Sequence, residues 1–375
     1  MRKFKILICV LLICFSFTGC GENHKGLSQV TIVQGIGIDA NEMKETKITL
    51  QFLNLSKSGG STESLVDNIT NTEFGEGNSV ASAISDASKS LSKSLFFGQN
   101  KIIVFGMDYV KDHLELGIDY LIRSIDSRAD VLVALSDSKA EDIIKSKERN
   151  ARVPAECIYD LLNLGEQTGL GSVVSVNQLL NMYSDKATDV FMPVLKAGKE
   201  SVKCTGIAFF SQSKYVATLN ENQSFGFLLI NDKIKGGSFS VKNEQLGNIG
   251  LEIINSKTKK NVEIKQGRII LNVDICVQMM LDEVQKGVTA AIGDKEINTI
   301  EKLVNKKMQS ICFSAMDLCL KNRSDPFMIS RYVAKCDEKV YNRVKDNWRD
   351  YLGDVQVNIN VKSDLERVND NSLRQ

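Results

Sequence analysis

Cys20 closes the tetrapeptide Phe17-Thr18-Gly19-Cys20, behind the apolar run Ile6 to Phe17 and the basic start Arg2, Lys3 and Lys5. A basic start, an apolar middle and small residues before the cut make a secretory signal. Where the cut precedes a cysteine, as in bacterial lipoproteins, the sulfur takes a diacylglycerol and becomes a thioether. Residues 1–19 are then expected to leave, with Cys20 as the lipid-bearing amino terminus. Thr18 and Gly19 meet the demand for small residues, while Phe17 stands where leucine is usual. The apolar run is about a dozen residues, short of the roughly 20 that a spanning helix needs. Each buried acyl methylene contributes about 0.8 kcal/mol, so two or three chains hold a protein to a bilayer without a transmembrane helix. The other reading is ordinary secretion, with Cys20 an incidental cysteine.

The rest of the chain offers little further chemistry. Cys157, Cys204, Cys276, Cys312, Cys319 and Cys336 remain after the signal and Cys20, and His24 and His113 are the only histidines. No CxxC occurs, so no metal site is expected. Cys312 and Cys319 lie on one predicted helix, about 10.5 Å apart along its axis, beyond disulfide reach of each other. Most of the six are expected to be small buried apolar residues. His24 falls in a polar tether and His113 at the start of a predicted helix, so no Ser/His/Asp set assembles around a nucleophile. Gly35-Ile36-Gly37 lacks the third glycine and following helix of a dinucleotide fingerprint. No cofactor and no catalytic residue is therefore assigned. Losing Arg2, Lys3 and Lys5 takes the formal charge from +1 to −2, which offers no basic field to nucleic acid or anionic lipid.

With 375 residues, 43% hydrophobic and 25% charged, the chain is long enough for two or three domains. Residues 20–28 read as a tether. Residues 29–199 read as an α/β domain of one or two subdomains: strands at Val30–Ile38 and Lys47–Leu55 joined as an antiparallel hairpin, then helix and buried strand in alternation. The short strands Ile102–Phe105 and Val131–Leu135 belong to that alternation. Ser138-Lys139-Ala140-Glu141 and Ser175-Val176-Asn177-Gln178 have the form of capping boxes. Residues 200–364 change character. Val202–Val241 reads as strand punctuated by glycine, Ile269–Val277 as a long alternating strand, and Asp294–Lys321 as an amphipathic helix. A shorter helix carries Trp348 and Tyr351, and Val355–Val361 closes the fold as a strand. The fold class is thus α/β followed by α+β, with mixed sheets, packed helices and a C-terminal antiparallel sheet backed by the long helix. Residues 365–375 read as a polar tail.

Several segments carry a resemblance. They are the cysteine followed by a strand holding Gly35-Ile36-Gly37-Ile38-Asp39, and the run Ser94-Leu95-Phe96-Phe97-Gly98-Gln99-Asn100-Lys101-Ile102-Ile103-Val104-Phe105-Gly106. Thr205-Gly206-Ile207-Ala208-Phe209-Phe210 follows, then Glu221 and Gly226 ahead of an apolar strand, then Trp348 before a Val-rich strand. In this order the chain resembles the Ger(x)C lipoproteins, the C subunit of the bacterial spore nutrient-germinant receptor. The match covers nearly the whole mature chain, with Gly98-Gln99-Asn100-Lys101 its most specific part. Gly21, where the family often has Trp after the anchor cysteine, is a departure. The resemblance implies a multi-domain, membrane-tethered, non-enzymatic protein beside two integral membrane subunits in the inner membrane of the spore.

Gln99, Asn100 and Lys101 have two readings: a turn into the buried strand at Ile102, in which Gly98 supplies backbone freedom, or part of a surface that touches a receptor subunit. Phe96 and Phe97 are expected in the core, and Glu221 and Gly226 are expected to shape a connection between strands. The alternative function is a solute-binding lipoprotein feeding a transporter, a class that has two α/β lobes of similar pattern.

Overall fold

The computed structural model describes residues 29–54, 70–124, 128–146, 153–169, 171–185, 187–199, 201–285 and 293–366. Cys20, the signal before it and residues 367–375 lie outside the described residues. The chain runs β1 (Val30–Ala40), β2 (Thr46–Leu53), β3 (Thr70–Gly77), α1 (Val80–Ser88), β4 (Ser94–Phe96), β5 (Ile102–Phe105) and α2 (Met107–Arg123). Then come β6 (Leu132–Ser136), α3 (Ala140–Ile144), α4 (Pro154–Thr168), α5 (Val176–Ser184), β7 (Phe191–Ala197), β8 (Val202–Ser211), β9 (Lys214–Leu219) and α6 (Glu221–Ile230). The last third holds β10 (Ser238–Asn243), β11 (Gly247–Lys265), β12 (Arg268–Val284), α7 (Asp294–Lys321), α8 (Ile329–Cys336), α9 (Glu338–Val344), a helical turn at Trp348–Tyr351 and β13 (Gln356–Glu366).

A nine-stranded sheet runs β3-β2-β1-β5-β6-β7-β8-β9, with β4 also on β1. Its centre is parallel where helices cross between strands, and its flanks are antiparallel hairpins. Helices cover both faces, so the short central strands are apolar without interruption. Ile103, Phe105, Val133 and Leu135 pack with α1, α2 and α5, and Ile102, Val104, Leu132 and Ala134 pack with α3 and α4 on the other side. Gly35 and Gly37 of β1 let that second layer close in: a Cβ at Gly35 would lie 3.1 Å from the Ala155 Cβ, and one at Gly37 3.1 Å from Ile144 Cγ1. The α3 helix is capped from β1 and not by Ser138. Asp39 Oδ1 and Oδ2 accept from the Ala140 and Glu141 N–H groups at 2.7 and 2.9 Å. A carboxylate there satisfies orphan donors of the first turn. Ser175 and Gln178 do form the expected reciprocal box at α5.

The second sheet has the order β10-β11-β12-β13. It departs from the expected antiparallel arrangement in one strand: β10, β11 and β12 are antiparallel, but β13 runs parallel to β12. The helices between them carry the chain back to the starting end, which a parallel pair requires. The β11–β12 hairpin turns through Gln266 (φ 50°) and Gly267 (φ 79°), a two-residue reversal with both central residues left-handed. Helix α7 backs this sheet with Ile300, Val304, Met308, Cys312, Ala315 and Cys319. It also satisfies the outer edge of β13: Gln309 Nε2 donates to the Ile359 carbonyl, and Asn305 Oδ1 and Glu301 Oε1 accept from the Ser363 and Leu365 N–H groups. A long edge that would otherwise recruit another strand is thereby occupied.

Val202–Val241 is not strand throughout, because Glu221–Ile230 is the helix α6, opened by Asn220 and Gln223 in a reciprocal cap. Gly226 lies where α6 crosses α7, with room for a Cβ only 2.8 Å from the Ile311 carbonyl oxygen. Glu221 and Gly226 therefore do shape the link between two strands, β9 and β10, but that link is a buried helix, and no apolar strand follows them directly.

Candidate functional site

The Gly98–Lys101 segment sits at the N-terminal edge of the parallel strands. β4 runs beside the start of β1, with Val30 opposite Ser94 and Ile32 opposite Phe96. The chain then turns, the Asn100 N–H donating to the Phe97 carbonyl at 2.9 Å. Lys101 is pinned on both sides: its N–H donates to the Gln34 carbonyl at 2.8 Å, and its own carbonyl accepts from Leu132 N–H at 3.0 Å. The three expected contact residues go different ways. Gln99 is exposed, Asn100 is buried with no hydrogen-bond partner for Oδ1 among the described residues, and Lys101 is half-buried with its ammonium 5.6 Å from the Tyr159 ring centroid. Arg128 joins this edge, donating to the Gly98 carbonyl at 3.1 Å and pairing with Asp130 at 2.6 Å.

Phe96 and Phe97 separate. Phe97 packs partly against the core, but Phe96 is 42% exposed. Its ring folds over Gly98, where a Cβ would come within 2.4 Å of Cζ. What glycine supplies there is space for the ring; Gly98 is not among the glycines with positive φ. The result is an edge that shows an aromatic ring, an amide and two cations, a composition suited to contact with another surface.

A second cluster, missed in the sequence, ties the two sheets together. Asp325 is fully buried. Its carboxyl accepts from Ile329 N–H (2.9 Å), Ser330 N–H (3.0 Å) and Trp348 Nε1 (2.9 Å). Its own N–H donates to Asp189 Oδ2 at 2.9 Å, and Asp189 Oδ1 accepts from Arg349 Nη2 at 2.6 Å and Gln212 N–H at 3.1 Å. Ser330 and Ser324 hydroxyls reach the Ala187 and Phe210 carbonyls. Burial pushes the Asp325 carboxyl up to about 6, against the lowering effect of its three donors. The cluster holds the turn before α8 against the connections around β7 and β8. Its chemistry is structural, since every donor and acceptor named here is spent on another part of the chain.

His113 lies inside α2, at a residue with non-helical φ and ψ, not before the helix. Its ring stands tilted 5.7 Å from that of Tyr109. The cysteines are less uniformly buried than expected: Cys312 and Cys319 are buried, Cys157 and Cys204 half-buried, and Cys276 and Cys336 exposed, none of these six in a disulfide. Burial pushes the Cys312 thiol up to about 12, which suppresses the thiolate. Among the described residues no three His, Cys, Asp or Glu side chains gather as a metal site.

Two family profiles account for nearly the whole chain. Residues 23–197 match the spore germination protein N-terminal domain, and residues 205–369 match the spore germination B3/GerAC-like C-terminal domain. The chain belongs to the Ger(x)C family of spore germination proteins. Spore germination protein KC of Bacillus subtilis (strain 168) is 21% identical over 98% of this chain and 96% of its own length. Spore germination protein GerQC of Bacillus cereus is 23% identical over 85% of this chain and 87% of its own. The crystal structure of the GerBC protein has the same fold, with a TM-score of 0.60 at 17% identity over 89% of this chain and 97% of that one. In this Ger(x)C chain the first profile ends with β7 and the second begins within β8, and these two strands pair with each other in the nine-stranded sheet. The C-terminal profile thus contributes β8 and β9 to the sheet built mainly by the N-terminal one, and the Asp189–Asp325 contact crosses the same boundary.

Proposed function

We propose that this chain is the lipid-anchored C subunit of a spore nutrient-germinant receptor. Cys20 holds it to the outer face of the spore inner membrane beside two integral membrane subunits, whose assembly it supports without catalysing a reaction. The observation that carries this reading is the pair of spore germination profiles covering residues 23–197 and 205–369. Among the described residues no helix is long and apolar enough to cross a membrane, so attachment through a lipid on Cys20 supplies what those elements do not. The ten residues from Cys20 to Val30 reach at most about 35 Å when extended. The edge bearing Phe96, Gln99 and Lys101 lies beside Val30–Gln34, next to the end of that tether, and so on the side where membrane subunits would present their surfaces. The transporter-linked alternative calls for two similar lobes, whereas here a nine-stranded mixed sheet faces a four-stranded one.

Deleting the gene is expected to leave spores that form and resist heat normally but fail to germinate on one nutrient or set of nutrients. Response is scored by loss of optical density across amino acids, sugars and nucleosides. Normal germination on all of them rejects the receptor role.

A further inference from the structure

A cleft of about 400 Å³ opens between the two halves, walled by the connection before α5, by α5 and β7 on one side, and by α6, β11 and the turn before α8 on the other. Val174, Met182, Phe191, Phe227, Leu228 and Met328 make its wall largely apolar. Its charged lining is one-sided, with Lys233, Lys260 and Arg331 against the single acid Glu166. Two of these cations are already matched: Lys233 pairs with Glu166 at 3.4 Å and Arg331 with Asp185 at 3.0 Å. Lys260 is not. Its ammonium donates to Asn231 Oδ1 at 2.8 Å and the Phe327 carbonyl at 3.3 Å, and lies 5.2 Å from the Tyr332 ring centroid. An ammonium has three donors, so two neutral acceptors leave one N–H and the full charge uncompensated by a bonded carboxylate. Two further wall atoms, Ser172 Oγ on a residue 1% exposed and Asn231 Nδ2, are buried without a hydrogen-bond partner among the described residues. Burial pulls Lys260 down to about 8, with Asp325 and Asp232 opposing; an anion beside it reverses that cost.

We propose that this cleft binds a small monocarboxylate with an apolar body, the carboxylate on Lys260 and the body against Phe191, Phe227 and Leu228. Its volume and mixture of apolar wall and few convergent polar groups are those of small-molecule sites. A carboxylate suits Lys260 because it accepts charge-assisted bonds from the ammonium and turns a buried charge without a bonded carboxylate into a pair. Among the described residues the one acid of the wall, Glu166, is engaged by Lys233, which disfavours a cationic ligand. The site does not rest on receptor membership, and the test uses the isolated protein.

The full chain, purified in mild detergent, is titrated calorimetrically with 3-phenylpropanoate and with 3-phenylpropan-1-ol, which shares its body and lacks the charge. Saturable one-to-one binding of the acid is expected, about tenfold or more tighter than the alcohol. Lys260→Met should bring the acid down to the affinity of the alcohol, and Lys260→Arg should keep most of the preference. Val173→Trp, a change at a half-buried wall position, should remove binding of both while the circular dichroism stays that of the parent. If Lys260→Met fails to fold, Lys260→Arg and Val173→Trp decide the matter. Absence of binding by the parent chain, equal affinity for acid and alcohol, or undiminished binding by Val173→Trp overturns the proposal.

Discussion

Replacing Asp325 with alanine lowers the unfolding free energy by about 3–5 kcal/mol near pH 5, where the carboxyl is largely protonated and its loss is felt through the buried donors it accepts from. Three donors, the Ile329 and Ser330 N–H groups and Trp348 Nε1, lose their acceptor at once, and each buried unsatisfied donor costs about 1–3 kcal/mol. Relief of the desolvated carboxyl offsets part of this, and that part depends on pH. The folded value of about 6 stands above the ordinary 3.8, so the native state binds the proton more tightly than the unfolded chain. Stability from this group is then fully present below about pH 4 and is lost as pH rises through 6, by about 3 kcal/mol in all. The alanine variant has no such slope. Its deficit should be largest in acid and narrow by about 2–3 kcal/mol between pH 4 and pH 8. The chain has one tryptophan, Trp348, and it touches Asp325. Urea unfolding followed by its fluorescence at the two pH values therefore measures both the deficit and its narrowing. Equal deficits at both pH values would show that Asp325 keeps an ordinary carboxyl.

Cys20→Ser is expected to move the protein from the spore membrane fraction to the soluble one and to abolish the nutrient response, while its unfolding curve stays that of the parent. One myristoyl-length chain gives a membrane association constant of about 10⁴ M⁻¹, and a second chain makes attachment stable. Loss of the thioether removes all of it, and a chain with formal charge near zero offers no net positive charge to draw it to anionic lipid. The substituted residue lies ten positions before β1 in the sequence. The measurements are membrane fractionation of spores and germination on the responsive nutrient. A variant that stays membrane-bound would place the attachment elsewhere in the chain.

The parts of the fold legible in the sequence were those with a long or strict pattern. Helix α7 runs Asp294–Lys321, as its apolar spacing predicts, and β5 and β6 fall where short unbroken apolar runs lie between helices. Direction was not legible in β13, because alternation is identical in parallel and antiparallel strands. Helix α6 was hidden because Phe225-Gly226-Phe227-Leu228-Leu229-Ile230 has no polar face to give a helical period. The pointer to it was the Asn220/Gln223 cap. Asp39 at the head of α3 and Asp189 against Asp325 join residues separated by more than a hundred positions, and no local pattern announces such a pair. At the candidate contact edge, the sequence marked the turn, but it did not separate exposed Gln99 from buried Asn100 or place Phe96 outside the core.

The proposed arrangement is tested most directly by photo-crosslinking in intact spores from two positions on the same chain. Gln99 lies beside the first residues of β1, and Met43, 81% exposed, lies in the turn that follows the other end of that strand. A photoreactive residue at Gln99 is expected to capture an integral membrane subunit when Cys20 is lipidated, and the same residue at Met43 is expected to capture none. Capture from Met43 and not from Gln99, or from neither, would contradict a receptor subunit held with this edge toward its membrane companions.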